Sequence, residues 1–179
     1  MKTLIINGSP KKDSDTSFLI NSFLKDSTGE VVFFNCFFEN FSACIACKKC
    51  RDGVCKKSDD MQKLYKELEN CDNIIIASPV YFGNLTPPVL SVLSRLQCYY
   101  KNNFKTPPKI GKEKNGILIL TAGNSKIMYA KKYAGIMFKI LNAKIIGTIE
   151  SLSTDTTLAS KDESAKKTAK VLNRKIFKK

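Results

Sequence analysis

Five short apolar runs alternate with helical stripes along the 179 residues, and this alternation constrains the fold more than any other feature. The runs are Leu4–Ile6, Glu30–Phe34, Asn73–Ala77, Gly116–Leu120 and Lys144–Ile149. Leu4 to Ile6 and Ile74 to Ile76 are apolar at every position, as in strands buried on both faces. Apolar residues at helical spacing follow each run. They are Phe18, Leu19, Ile20, Phe23 and Leu24, then Met61, Leu64, Tyr65 and Leu68, then Val89, Leu90, Val92, Leu93 and Leu96. Tyr129, Tyr133, Ile136, Met137, Ile140 and Leu141 form a fourth stripe, and Ala165, Ala169, Leu172 and Ile176 a fifth. Ser58 reads as the cap of the second helix, with Asp59 and Asp60 in its first turn. Strands alternating with helices in this way predict an α/β fold with a parallel sheet covered on both sides by right-handed crossovers. No repeat or composition break divides the chain, so residues 1–179 are expected to form one domain with a cysteine-rich loop at 36–58.

In a sheet of this kind a ligand sits outside the carboxyl ends of the strands. Polar loops follow three of those ends, at Asn7–Ser17, Ser78–Asn84 and Thr121–Ser125. The first opens a helix, whose unpaired backbone N–H groups and dipole favour an anion such as a phosphate. Hydroxyls at Ser9, Ser14, Thr16 and Ser17 could share in that binding, or could be ordinary caps. A further Ser/Thr-rich loop spans Ser151–Ser160, and a basic connection containing Pro and Gly spans residues 101–115.

The chain has no histidine, which excludes a Ser-His-Asp hydrolase, a Cys-His protease and a histidine-ligated metal site within it. The net charge of +14 is carried entirely by residues 81–179, which hold 19 Lys/Arg against 5 Asp/Glu. Such a basic half attracts anions, whether a nucleotide cofactor, an acidic partner or nucleic acid, although a lysine-rich solvated face explains most of these residues. A nucleic-acid-binding module is the weaker alternative, because no helix concentrates Arg with base-reading polar residues. No apolar run approaches membrane-spanning length and the start lacks a signal-peptide pattern, so the expected location is cytoplasmic, with no membrane partner. Seven cysteines in that setting point to thiols or metal ligands ahead of disulfides.

The segments NGSPKKDSDTS and SPVYFGNLTPP resemble the phosphate loop and the flavin-ring loop of the flavodoxin-like NAD(P)H-dependent FMN reductase family. The cysteine segment followed by Asp59-Asp60-Met61 resembles the iron–sulfur flavoprotein branch of that family. The resemblance covers nearly the whole chain in order and spacing. It implies a flavodoxin-like, doubly wound, five-stranded parallel sheet in the order 2-1-3-4-5. It also implies that Ser9, Lys11, Ser14, Asp15, Thr16 and Ser17 surround the FMN phosphate, with Lys12 adding positive charge. Pro79, Val80, Tyr81, Phe82, Gly83 and Asn84 would border the isoalloxazine ring, and Thr121, Ala122 and Gly123 would form a third wall. The implied activity is transfer of electrons from NAD(P)H through FMN to a quinone, flavin or other acceptor, with no protein acid or base required. A homodimer or homotetramer is implied as well.

Two departures from the family pattern bear on this. Asp15 stands where the family often has Asn, and Ser14 where it has Gly. The Asp15 carboxylate either faces and repels the phosphate or turns aside to cap the helix, or the residue binds only through its backbone N–H. Ser94 replaces an Asp common in relatives, which leaves Arg95 without that neighbour.

Cys44, Cys47, Cys50 and Cys55 are spaced C-x2-C-x2-C-x4-C, close to the bacterial ferredoxin run that holds an iron–sulfur cluster. Structural zinc more often uses two separated C-x2-C knuckles. A [4Fe–4S] cluster would need all four thiolates, and Lys48, Lys49 and Arg51 would favour them. FMN-only relatives carry similar cysteine runs as free thiols or a disulfide, so that outcome stays open. Cys36, Cys71 and Cys98 lie in apolar surroundings and read as packing residues. An iron–sulfur flavoprotein that carries electrons without its own NAD(P)H activity is the alternative function.

Overall fold

A computed structural model describes residues 1–50, 53–100 and 110–177. Arg51 and residues 101–109 of the basic connection lie outside the described residues. The strands are β1 (Lys2–Asn7), β2 (Glu30–Asn35), β3 (Asn73–Tyr81), β4 (Asn84–Leu85), β5 (Lys114–Thr121) and β6 (Ala143–Ser151). The helices are α1 (Asp15–Leu24), α2 (Met61–Asn70), α3 (Pro87–Arg95), α4 (Met128–Ile140) and α5 (Glu163–Phe177), with 3-10 turns at Leu96–Cys98 and Ala159–Lys161.

The sheet order is β2-β1-β3-β5-β6, all parallel. This is the expected order, because β5 and β6 are the fourth and fifth apolar runs. The difference lies after the third run. Instead of ending at Ala77 in a loop, β3 continues to Tyr81 and turns back through β4, pairing Val80 with Leu85 and Tyr81 with Asn84. Ser78 and Pro79 continue the parallel pairing with β5, opposite Leu120 and Thr121, and only Val80 and Tyr81 are paired by the hairpin, which local composition did not signal.

Alternate residues of each strand serve opposite layers. Leu4, Ile6, Ile74, Ile76, Leu118 and Leu120 pack with α2, α3 and α4. Ile5, Ile75, Ile117, Ile119 and Ile149 pack with α1 and α5. The stripes on α2 and α5 are buried as read from the sequence. The stripe on α4 is rotated. Ala130, Ala134, Met137, Phe138 and Ile140 face inward, while Tyr129 is exposed and Tyr133 and Ile136 are half-buried. Small residues at 130 and 134 let the helix approach the sheet, which the larger side chains of the expected face would prevent.

The start of α2 also differs. Asp60 occupies the cap position without a side-chain cap bond, and Met61 is the first helical residue. Ser58 is not the cap. Asp59 Oδ1 accepts the Met61 N–H at 3.2 Å, and both its oxygens turn toward Arg95. Among the described residues no helix is long and apolar enough to cross a membrane.

Candidate functional site

The carboxyl ends of β1, β3 and β5 bring the three polar loops to one edge of the sheet. Gly8 joins the first two. Its N–H donates to Ala77 O at 2.7 Å, and its carbonyl accepts the Thr86 hydroxyl at 2.9 Å. The Ser78 hydroxyl accepts the Thr86 N–H at 3.2 Å. A Cβ at position 8 would lie 2.4 Å from Val89 Cγ2 and 2.7 Å from Thr86 Oγ1, so only glycine permits this approach.

At the start of α1 three hydroxyls form a ring. Ser9 Oγ and Ser14 Oγ are 2.9 Å apart, and Ser14 Oγ and Ser17 Oγ 3.0 Å. Ser14 is the cap and accepts the Ser17 N–H at 3.1 Å. The Lys11 carbonyl accepts the Ser9 hydroxyl at 3.1 Å and the Ser17 hydroxyl at 3.4 Å. The first helical N–H groups, at Asp15 and Thr16, have no partner within the helix. Lys11 and Lys12 are exposed beside them. Three clustered hydroxyls, free helix-start N–H groups and two exposed lysines on the same loop suit a phosphate dianion.

Two residues expected here are committed elsewhere. Thr16 is buried, and its hydroxyl lies 2.7 Å from that of Thr121 on β5. It therefore ties the first loop to the third. Asp15 Oδ1 accepts the Ala159 N–H at 2.6 Å, so the carboxylate turns aside to the Ser/Thr-rich loop.

In the second loop, Tyr81 to Asn84 form a two-residue hairpin turn with positive φ at Phe82 (51°) and Gly83 (82°). That pattern is a type I′ turn, in which glycine is at ease and phenylalanine is strained. Phe82 is fully exposed and Tyr81 is partly so, while Val80 and Gly83 are buried. The Gly83 carbonyl accepts the Ala130 N–H at 3.0 Å, docking the first turn of α4 on the hairpin. Pro79 and Asn84 are half-buried, and Asn84 Oδ1 accepts the Leu85 N–H.

In the third loop Thr121 and Ala122 are buried. The Ala122 N–H donates to Ser151 O at 2.9 Å, and its carbonyl accepts the Thr154 N–H at 2.9 Å. The Asp155 carboxylate covers Gly123, where a Cβ would lie within 2.2 Å of its atoms. The loop after β6 thus packs over the third loop. Its sequence signal was the Ser/Thr-rich composition of residues 151–160, which names no role by itself.

The cysteine loop lies beside this edge. Cys44 and Cys47 are exposed, and Cys50 and Cys55 half-buried. A cavity of about 190 Å³ is lined by Cys44, Cys47, Cys55, Ile45 and Arg95, among others. Among the described residues no three Cys, Asp or Glu side chains gather closely enough to hold a metal ion. The surroundings nevertheless suit anionic sulfur. The Ala46 N–H donates to Cys44 Sγ at 3.4 Å, and Arg95 donates to Cys55 Sγ at 3.3 Å. Burial pushes the Cys55 thiol up, but the Lys57 N–H and the Arg95 guanidinium outweigh it and hold the thiol below its ordinary value. Burial and the three neighbouring cysteines raise Cys50. Ala46 and Lys48, which flank Cys47, have positive φ, as in loops that wrap backbone N–H groups around an anion. The donor chemistry therefore fits a thiolate-bound cluster, while the sulfurs stand apart.

Arg95 is the residue whose partner the sequence concealed. It is 2% exposed, and its guanidinium bonds Asp59 at 2.6 and 3.1 Å and Ser42 O at 3.0 Å. Asp59 replaces the neighbour missing at Ser94. The only signal was an arginine inside an otherwise apolar helical stripe. Burial pushes the Cys36 thiol up to about 12 and the Cys71 and Cys98 thiols up to about 11, which suits packing residues.

A family model for NADPH-dependent FMN reductase matches residues 1–157. An iron–sulfur flavoprotein of Methanocaldococcus jannaschii is 31% identical over 130 residues, covering 69% of this chain and 63% of that protein. Another, of Methanosarcina thermophila, is 32% identical over 118 residues, covering 62% of this chain and 60% of that protein. The chain thus spans less than two-thirds of the length of these curated relatives. An FMN-dependent NADH-azoreductase of Bacillus anthracis, solved with FMN, superposes with a TM-score of 0.73 at 14% identity, covering 98% of this chain and 99% of that one. An NAD(P)H:quinone oxidoreductase of Methanothermobacter marburgensis gives 0.72 at 12% identity, covering 98% and 96%. At that identity these two establish the shared fold.

Proposed function

The chain belongs to the NADPH-dependent FMN reductase family, and from that premise we propose that it binds FMN at the carboxyl edge of its sheet and passes electrons from NAD(P)H to a quinone, flavin or other small acceptor. The observation that carries this reading is the joining of three strand-end loops at one edge, with the Ser9–Ser14–Ser17 hydroxyl ring at the start of α1. Bound FMN would supply the redox chemistry, accepting hydride and releasing electrons. The chain's part is to bind, orient and shield. Ser9, Ser14 and Ser17, with the Asp15 and Thr16 N–H groups, would hold the phosphate, and Lys11 and Lys12 would balance its charge. The backbone from Pro79 to Asn84 and from Thr121 to Gly123 would flank the ring. Tyr81 and Phe82, exposed beside it, supply aromatic cover. Exposed Phe82, Met128 and Tyr129 also suit packing of a second copy of the chain, as a homodimer would require.

A second reading is an electron carrier without its own NAD(P)H chemistry. It is favoured by the four-cysteine loop and by the similarity to iron–sulfur flavoproteins. In that reading Cys44, Cys47, Cys50 and Cys55 hold a [4Fe–4S] cluster, which would supply one-electron transfer.

Stopped-flow mixing of the FMN-loaded protein with NADPH or NADH under anaerobic conditions tests the first reading. Rapid bleaching of the flavin band is expected. Protein that takes up FMN but is not bleached by either nucleotide supports the carrier, and protein that takes up no FMN overturns both.

A further inference from the structure

We propose that Arg95 is a positioning residue of the cysteine site, closing the loop from beneath and compensating the charge of sulfur ligands at Cys55. The inference rests on the reading that the four cysteines hold an iron–sulfur cluster. α3 is otherwise a packing helix, and a guanidinium buried at its end is costly unless its N–H groups are matched. Arg95 reaches both flanks of the loop. Nη1 donates to Ser42 O on the entering side and to Asp59 on the leaving side. Nη2 donates to Asp59 and to Cys55 Sγ at 3.3 Å. The preceding residue holds the other end, because the Ser94 hydroxyl accepts the Cys44 N–H at 3.0 Å. Ser94 and Arg95, adjacent in sequence, therefore grip the first and last of the four cysteines.

A staple alone needs the Asp59 carboxylate and the Ser42 carbonyl. The bond to sulfur goes further. A thiol sulfur is a weak acceptor, whereas a thiolate is an anion that a guanidinium binds well. Hydrogen bonds to ligand sulfurs and nearby positive charge stabilise the reduced, more negative form of a cluster and raise its potential. The Nε–H of Arg95 is buried without a hydrogen-bond partner among the described residues. The guanidinium is thus placed by its two Nη groups, at some cost to the third donor.

The test is anaerobic reconstitution with ferrous iron and sulfide of the wild type and of Arg95→Gln, Arg95→Lys and Asp59→Asn. Iron content, visible spectrum and midpoint potential are the readouts. Arg95→Gln is expected to give a more negative midpoint and faster loss of iron. Arg95→Lys should restore part of the wild-type potential, because the charge returns without the fork. Asp59→Asn should shift the midpoint the opposite way, because it removes the carboxylate that offsets the guanidinium. If Arg95→Gln does not fold, the other two variants decide the matter. Midpoints that do not move in Arg95→Lys and Asp59→Asn overturn the role of Arg95 while leaving the cluster standing. Wild-type protein that takes up no iron and sulfide overturns the cluster reading, and the proposal with it.

Discussion

The carboxylate of Asp15 accepts the backbone N–H of Ala159 at 2.6 Å, binding the first helical residue of α1 to the 3-10 turn before α5. The residue that most threatened a phosphate site is thereby removed from it. The same bond fixes the loop after β6, which carries Asp155 over Gly123.

Asp15→Asn is expected to leave FMN affinity within about twofold, because the carboxylate does not face the phosphate. It should lower stability by about 1 kcal/mol, since a charge-assisted bond becomes a neutral one. Flavin-fluorescence titration and urea unfolding measure the two effects. A large tightening of FMN would place the carboxylate at the phosphate instead.

Gly8→Ala is expected to cost about 2–3 kcal/mol, the usual penalty for forcing a methyl into packed surroundings. The new carbon would meet Val89 Cγ2, Thr86 Oγ1 and Ser78 Oγ. Parting the first and second loops should also weaken FMN binding, which equilibrium titration of the folded variant would detect.

Phe82→Asn separates strain from function. Phe82 holds φ at 51° with its ring fully exposed, in a turn whose preferred sequence is Asn-Gly. Relief of a left-handed phenylalanine is worth about 1 kcal/mol, so the FMN-free protein should melt at a higher temperature. The flavin should be held less tightly once the ring is gone. Calorimetry with and without FMN should show these opposite signs.

Asp59→Asn tests the buried ion pair and carries a pH signature. Burial alone would raise the Asp59 carboxyl, but the Arg95 hydrogen bonds and charge outweigh it and hold it below its ordinary value. A depressed carboxyl stabilises the fold above the unfolded value, about 4, and loses that contribution as pH falls through the folded one. At neutral pH the variant should be less stable by about 3 kcal/mol, as expected when one partner of a buried pair is lost. The gap should close below about pH 4, as urea unfolding across a pH series would reveal.

The layering of the fold was legible in the chain because burial repeats locally. Leu4, Ile5 and Ile6 serve the two layers in turn, and Ala165, Ala169, Leu172 and Ile176 mark one helical face. The stripe on α4 is legible only toward its end, where Met137, Ile140 and Leu141 are buried as expected. Its tyrosines and isoleucines cover more than one face, and docking of Ala130 on Gly83 sets the rotation. The three loops of the site were visible as polar breaks after apolar runs.

The sequence by itself determined the alternation of strands and helices that makes a parallel α/β sheet, and the polar loops that follow three strand ends. These follow from periodicity and turn chemistry acting within a few residues, whereas the strand order was implied only by the family resemblance. Only the tertiary structure decided what the polar groups do. Asp59 looked like a helix-start residue and became the partner of Arg95, 36 residues away. Asp15 looked like a phosphate neighbour and became the acceptor for Ala159, 144 residues away. A buried donor must find an acceptor, but which one is set by the loops that meet at the strand ends, and no local pattern encodes that meeting.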